Sequence, residues 1–191
     1  MDFCRDSQVS FTAAQSDVVY TITYTGTGST PATQVTSPTE TITFATVSTD
    51  TDITRCPVTT DLQIFDGTDW IDYVGNESLW PWISGYTADT EFSIRTDSHA
   101  YGDPSTIFNS RLVANDPDST SASATAITTF TVTLNSVCAT DVFSLDTTLS
   151  DLTIQVSASS SNPTINPPAY SSTQPGCPID FSWWEYTIDG I

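Results

Sequence analysis

The sequence contains no lysine and only one histidine, and four arginines stand against 23 acidic residues, so the formal net charge is −19 at pH 7. A chain of this charge repels nucleic acid phosphate and anionic lipid surfaces, which argues against both as binding partners. No stretch reaches the roughly 18 apolar residues that a transmembrane helix needs. The first residues, Met-Asp-Phe-Cys, lack the basic and apolar regions of a signal peptide. We therefore expect a protein that binds neither nucleic acid nor membrane.

The few cysteines mark an internal repeat. Cys4 is followed thirteen residues later by Asp17 and a strand-like run, and Cys138 is followed at the same spacing by Asp151 and a similar run. Two apolar positions between cysteine and aspartate fall in step in the two copies: Val9 with Phe143, and Phe11 with Leu145. The chain therefore contains two related modules, the second beginning 134 residues after the first.

The second cysteine of each copy precedes a proline, as Cys56-Pro57 and Cys177-Pro178. Four cysteines allow three pairings. Because equivalent positions should pair equivalently, the repeat predicts the disulfides Cys4–Cys56 and Cys138–Cys177. The alternative is four free thiols in a cytosolic protein. A lysine-free composition rich in serine and threonine favours disulfides and an extracellular or cell-surface location.

Apolar and polar residues alternate with a period of two along most of the chain, and β-branched residues fill the alternating segments. The pattern predicts strands over residues 18–24, 41–47, 62–64, 92–96, 107–113 and 127–134, with a short piece at Trp70 to Tyr73. No window shows apolar residues at helical spacing. We predict an all-β fold: an immunoglobulin-like antiparallel β-sandwich over residues 1–137, followed by a second, incomplete β module over residues 138–191.

Three segments carry a family resemblance: Phe92-Ser93-Ile94-Arg95-Thr96-Asp97, Gly102 after the following turn, and the run from Thr129 to Asn135 that leads into Cys138. Over residues 57–137 the chain resembles extracellular immunoglobulin-like and cadherin-like tandem repeats. It is similar to surface filament subunits that are joined by donated strands. The resemblance implies a strand-exchanging protomer of an extracellular fibril.

The second module is short of strands. Its pattern predicts strands over residues 152–156, 169–171 and 179–188, and nothing in it corresponds to the later strands of module one. Two or three strands are marginal alone and leave unpaired edges. Its C-terminal part carries a run of aromatic residues that we predict to form a subunit interface: Phe181, Trp183, Trp184 and Tyr186. We therefore expect a structural, non-enzymatic protein whose partners are copies of itself in a linear polymer.

Trp80-Pro81-Trp82 admits two interpretations. As exposed rings these residues would form a carbohydrate platform, which makes a carbohydrate-binding or adhesive module the alternative function. As buried rings they belong to the core. The sequon Asn76-Glu77-Ser78 predicts an attached glycan at Asn76.

Acidic pairs are the remaining candidates, and we expect no cofactor from them. Structural calcium would use Asp50 with Asp52, Asp97 with Asp103, or Asp116 with Asp118. Calcium needs six to eight oxygen ligands, so each pair supplies part of a shell at most, and solvated carboxylates are the competing interpretation. Glycosidase chemistry would pair Asp66 with Asp69, or Asp69 with Asp72, near Trp70. No polar residues from elsewhere in the sequence point to either pair, and aspartates are common in β-turns.

Overall fold

The structure is a computed structural model that describes residues 4–25, 34–35, 37–50, 56–96, 105–145, 170–174 and 177. Over these residues the chain forms β-strands and short 3-10 turns at Glu77–Leu79 and Val137–Thr140, without an α-helix. In this part of the chain no helix is long and apolar enough to cross a membrane. The strands are β1 (Val9–Phe11), β2 (Val18–Ile22), β3 (Tyr24–Thr25), β4 (Gln34–Val35), β5 (Glu40–Thr43), β6 (Val47–Thr49), β7 (Thr59–Phe65), β8 (Trp70–Asp72), β9 (Ile83–Thr87), β10 (Glu91–Ile94), β11 (Thr106–Asn115), β12 (Thr125–Ser136), β13 (Phe143–Leu145) and β14 (Tyr170–Ser172).

The largest sheet has five strands in the order β2-β12-β11-β7-β8. Its long central hairpin pairs β11 with β12 in unbroken antiparallel register from Thr106 opposite Leu134 to Asn115 opposite Thr125. β2 lies parallel to β12 and covers only its C-terminal half, beginning with Val18 opposite Val132. The N-terminal half of β12 therefore has a strand on one side only among the described elements.

A three-stranded antiparallel sheet, in the order β5-β10-β9, packs face to face with the first. Phe92 on β10 contacts Phe130 on β12 with ring centroids 6.3 Å apart, so the two inner faces meet. Strand alternation turns every second residue of each strand into this core. The largest fully buried apolar side chains include Trp82, Tyr20, Phe92, Ile22, Leu62, Ile64, Ile94, Leu112, Leu134 and Val132. The fold is all-β, its strand pairs are antiparallel except for β2 with β12, and it is compatible with an immunoglobulin-like sandwich, as the alternation predicts.

The N-terminal segment runs from a separate two-stranded sheet to the five-stranded sheet. β1 pairs antiparallel with β6, and the chain then passes to β2 in the five-stranded sheet. Two hydrogen bonds of Gln15 hold this segment in place. Its backbone amide donates to the Thr128 hydroxyl over 3.0 Å, and its side-chain oxygen accepts from the amide of Ala45 over 2.7 Å. Asp17 then accepts from the amide of Thr131 over 2.6 Å.

One strand prediction needs correction, and the strands β1, β4, β9 and β13 were not predicted. The strand predicted over residues 41–47 is two strands, β5 and β6, because Phe44 turns into the core and the amide of Ala45 bonds Gln15 instead of a neighbouring strand. β9 was not predicted at all, since consecutive burial of Trp82 and Ile83 breaks the alternation. In the predicted second module, β13 pairs antiparallel with β14, while the strands predicted over 152–156 and 179–188 lie outside the described residues.

Candidate functional site

Disulfide bonds join Cys4 to Cys56 and Cys138 to Cys177, which is the pairing that the repeat predicts. Their Cα–Cα distances are 5.4 and 5.5 Å. Disulfides are typical of proteins from an oxidising compartment. We call residues 4–11 with 47–50 and 56 the first disulfide unit, and residues 138–145 with 170–174 and 177 the second disulfide unit.

Both disulfide units begin with the same turn. In the first, the amide of Ser7 donates to the carbonyl of Cys4 over 3.1 Å, and in the second the amide of Asp141 donates to the carbonyl of Cys138 over 3.1 Å. Each turn leads into a three-residue strand, and the two strands, β1 and β13, stand at the same offset of 134 residues as the cysteines. The repeat in the sequence is therefore also a repeat of backbone geometry.

The strand pairs of the two units are closed by equivalent hydrogen bonds. The amide of Gln8 donates to the Asp50 carboxylate over 2.8 Å, and the amide of Asp50 returns a bond to the carbonyl of Gln8 over 3.3 Å. The amide of Val142 donates to the Thr173 hydroxyl over 2.9 Å, and the amide of Thr173 donates to the carbonyl of Val142 over 3.2 Å. A different side chain makes the same closure in each unit, so the geometry is kept although the residues differ.

Asp141 organises the second unit. Its carboxylate accepts from the hydroxyl groups of Ser172, at 2.7 and 2.8 Å, and Thr173, at 2.9 Å, and from the amide of Gln174 over 3.0 Å. Partial desolvation raises the pKa of Asp141, but these hydrogen bonds together outweigh it and hold the pKa below its ordinary value. The charged carboxylate therefore fastens β14 against the turn that precedes β13.

The two units differ in what covers them. In the first, the turn between β11 and β12 closes over the unit: the amide of Thr120 donates to the carbonyl of Arg5 over 3.1 Å, and the amide of Val9 donates to the carbonyl of Ser123 over 2.9 Å. Val9 is accordingly 7% exposed, whereas Phe143 at the equivalent position is 44% exposed. The second disulfide unit thus presents apolar surface where the first is covered.

The predicted interface residues, Phe181, Trp183, Trp184 and Tyr186, lie outside the described residues. So do Asp52, Asp97 and Asp103 of the calcium candidates. The interface and these two acidic pairs remain predictions.

Trp80 and Trp82 are core residues, at 4% and 1% exposure. The Trp82 ring lies 4.8 Å from Phe108, and the Trp80 ring lies 6.4 Å from Tyr73. The carbohydrate-platform interpretation of Trp80-Pro81-Trp82 is therefore wrong, because neither ring is available to stack on a sugar.

Asn76 stands directly before the 3-10 turn Glu77–Leu79, and Ser78 of the sequon is exposed. The side-chain amide of Asn76 donates to the carbonyl of Asp72 over 3.0 Å. A glycan bonded to that nitrogen would leave one N–H in place to keep this contact. Occupancy of the sequon remains a prediction.

The described calcium candidates are used by the protein itself. Asp50 closes the first disulfide unit, and Asp116 accepts from the amide of Asp118 over 3.0 Å. In the part of the chain that the structure describes, potential metal-ligating side chains come together at Cys4, Cys56 and Asp116, but the two sulfurs are joined in a disulfide and are not thiolate ligands. These residues offer no shell of the size that calcium requires.

Two of the three carboxylates near Trp70, those of Asp66 and Asp72, have structural partners. Asp66 accepts from the amides of Thr68 and Asp69, each over 2.8 Å, and these bonds lower its pKa. Asp72 accepts from the Gln63 side-chain amide over 2.6 Å. A catalytic acid needs a raised pKa, so Asp66 is suited to fixing the β7–β8 turn rather than to donating a proton.

Sequence reasoning missed a cluster on the outer face of the five-stranded sheet. The Arg111 guanidinium lies 4.4 Å from the centre of the Trp70 ring and donates to the Gln63 side chain over 2.6 Å. Phe65 contacts the same tryptophan with ring centroids 5.4 Å apart. Trp70 and Phe65 are half-buried, so this is a mixed aromatic and polar surface. Arg111 lies opposite Gln63 because β11 pairs with β7, and no local sequence motif predicts this pairing.

No protein family, curated protein or solved structure matches the chain.

Proposed function

We propose that this chain is a structural protomer of an extracellular filament or surface appendage, which joins its copies head to tail by β-strand complementation. The proposal rests on the second disulfide unit. That unit repeats the turn, strand pair and closing hydrogen bonds of the first, yet leaves Val142 at 64% and Phe143 at 44% exposure. A repeated scaffold that exposes apolar side chains is suited to contact with a neighbouring copy.

Head-to-tail contacts between unlike surfaces do not close on themselves and therefore produce linear polymers. Two disulfides suit a polymer that persists in an oxidising extracellular setting. A glycan at Asn76 would lie beside the exposed 3-10 turn. In this proposal the chain needs no cofactor and catalyses no reaction.

Removing residues 151–191 tests the proposal. The deletion also removes Cys177, so Cys138→Ser is added to avoid a free thiol. We expect this variant to be monomeric by light scattering while the full chain forms fibres in negative-stain micrographs. The matched control is the full-length chain with Cys138→Ser and Cys177→Ser, which lacks the same disulfide but keeps the C-terminal segment. Fibres from the deletion variant would refute strand complementation through this part of the chain.

A carbohydrate-binding or adhesive module is the second candidate, and the cluster around Trp70 favours it. A half-exposed indole beside Arg111, Gln63 and Asp72 offers a stacking face and hydrogen-bonding groups, which is the mixture that sugars require. Glycan binding that is lost in Trp70→Ala and retained in Leu79→Ala, where an exposed apolar residue is removed elsewhere, would support this function. If the chain binds no glycan on an array, the carbohydrate-binding function is refuted.

A further inference from the structure

The two disulfides lie in different surroundings. Both cysteines of the first are buried, with Cys4 at 7% and Cys56 at 1% exposure. In the second, Cys177 is buried at 5% exposure, whereas Cys138 is half-buried. Cys138 belongs to the 3-10 turn Val137–Thr140, which contains no buried residue. The second disulfide is therefore open to solution on its Cys138 side, and the first is enclosed.

The turn between β11 and β12 helps to enclose the first disulfide. The Ser119 hydroxyl lies within hydrogen-bonding distance of the carbonyls of Arg5 and Ser7, at 3.2 and 3.4 Å. The Thr120 hydroxyl donates to the carbonyl of Arg5 over 3.2 Å, beside the bond from the Thr120 amide. These contacts fasten the turn to the residues that directly follow Cys4. A reagent in solution reaches this disulfide after the turn has opened locally.

Asp116, the residue that follows β11, places a carboxylate beside the first disulfide. One of its carboxylate oxygens and the sulfurs of Cys4 and Cys56 lie within 4.8 Å of one another. Asp116 is 1% exposed; its Oδ1 accepts from the amide of Asp118, and its Oδ2 is buried without a hydrogen-bond partner. Among the described residues no carboxylate or histidine forms such a group with the cysteines of the second disulfide.

Thiol–disulfide exchange is sensitive to both differences. A thiolate attacks one sulfur of the disulfide, and the other sulfur leaves as a thiolate. A buried carboxylate beside the disulfide repels the incoming thiolate and disfavours the leaving one, because all three carry negative charge. Burial also denies the nucleophile access. Both effects slow exchange at Cys4–Cys56, and the open side of the second disulfide permits it.

We propose that Cys138–Cys177 is a thiol-exchange site attacked at Cys138, and that Cys4–Cys56 is inert under the same conditions. The incoming thiolate forms a bond to the Cys138 sulfur. The bond between Cys138 and Cys177 breaks, and its electron pair leaves on Cys177, which takes a proton from water. One disulfide replaces another, so the step needs no further oxidant or reductant. The thiolate comes from a small thiol or from a second copy whose own Cys138–Cys177 bond has been opened.

The test uses the full-length chain with both disulfides formed. Mercaptoethanol is the probe, since it carries no charge besides its thiolate and is less strongly repelled by a chain of net charge −19 than an acidic thiol would be. Samples are blocked with N-ethylmaleimide, and mass spectrometry of fragments cut at acidic residues reads each cysteine. We expect mercaptoethanol on Cys138 and maleimide on Cys177, at a rate at least about a hundredfold above any modification of Cys4 or Cys56.

A non-reducing gel distinguishes the two sources of thiolate. With mercaptoethanol at less than one equivalent, a ladder of linked copies identifies a second copy as the source. A single band that carries mercaptoethanol identifies the small thiol. In concentrated urea the two disulfides should open at similar rates, because unfolding removes both the covering turn and the contact with Asp116.

Asp116→Asn tests the part played by the carboxylate, since asparagine keeps an oxygen for the Asp118 amide and removes the charge. We expect Cys4–Cys56 to open about tenfold faster in this variant, with Cys138–Cys177 unchanged. Asp118→Asn is the matched control, because it removes an exposed carboxylate from the same turn. If Asp116→Asn does not fold, the wild-type rates with and without urea still decide the proposal.

Three results would overturn the inference. The first is equal opening of the two disulfides in the folded chain, or faster opening of Cys4–Cys56. The second is mercaptoethanol on Cys177 with maleimide on Cys138, which would place the attack on the other sulfur. The third, which refutes the role of Asp116, is an unchanged rate at Cys4–Cys56 in a folded Asp116→Asn chain. The exchange site goes beyond the filament proposal, and none of these results depends on whether the chain forms fibres.

Discussion

Replacing Trp82 tests whether the Trp80-Pro81-Trp82 segment is a core anchor. The Trp82 side chain is 1% exposed and lies 4.8 Å from Phe108, so Trp82→Ala removes a large ring from a packed interior. Truncations of this kind cost about 3–5 kcal/mol of unfolding free energy. The indole N–H is buried without a hydrogen-bond partner, and burying such a group costs about 1–3 kcal/mol. Trp82→Phe keeps a ring and removes that group, so we expect a loss of only about 1 kcal/mol or less.

Urea denaturation followed by far-UV circular dichroism measures both changes in unfolding free energy. The dependence of that free energy on urea concentration should be the same in all variants. Trp70→Ala is the control on the outer face, where the lost contacts are one cation–π interaction with Arg111 and one ring pair with Phe65. These are worth about 1–2 kcal/mol together. Trp82 is not the core anchor if Trp82→Ala costs less than Trp70→Ala, or if Trp82→Phe costs as much as Trp82→Ala.

Three further predictions concern the disulfide units and a turn. Asp141→Asn should loosen the β13–β14 pair at neutral pH. In the wild type that stabilisation should be present above the unfolded pKa of about 3.9 and be lost as pH falls through the lower folded pKa, as read from amide hydrogen exchange; an identical pH profile in the variant would contradict it. Cys138→Ser with Cys177→Ser opens a 39-residue loop, whose closure stabilises the fold by about 4 kcal/mol on the loop-entropy model. Amide hydrogen exchange should become faster at β13 and β14 while β7, β11 and β12 stay protected. Loss of protection in all of these strands would contradict a separate second unit. Gly67→Ala should cost about 1–2 kcal/mol in thermal or urea unfolding, because Gly67 has φ 104° in the Asp66 turn, and an unchanged midpoint would show that the turn rearranges freely.

The sequence predicted those features of the fold that depend on local alternation. β7, β11 and β12 follow from apolar residues at every second position, and β14 from its short extended run. β9 and the division between β5 and β6 could not be predicted in this way. There the chain turns consecutive residues, Trp82 with Ile83, into the core, or replaces a strand partner with the Gln15 side chain. Both depend on contacts made at long range.

In the candidate site, too, sequence spacing predicted some features and long-range contacts determined the others. The spacing of residues in the sequence was enough to align Cys4 with Cys138 and Val9 with Phe143. The turns and strand pairs of the two units follow the same alignment. Sequence spacing could not indicate the contact between Arg111 and Trp70. The two residues are 41 positions apart, and only the pairing of strands brings their side chains together.

The contrast between the two disulfide units carries the functional argument. Three donors converge on the Asp141 carboxylate in the second unit: the hydroxyl groups of Ser172 and Thr173 and the amide of Gln174. A pair of three-residue strands is marginal in water, so this fastening stabilises a shape that the strands alone would not hold. The same shape in the first unit is covered by the β11–β12 turn. The second unit keeps this shape while Val142 and Phe143 stay partly exposed, and this difference in exposure is the observation behind our proposal that a neighbouring copy contacts the unit.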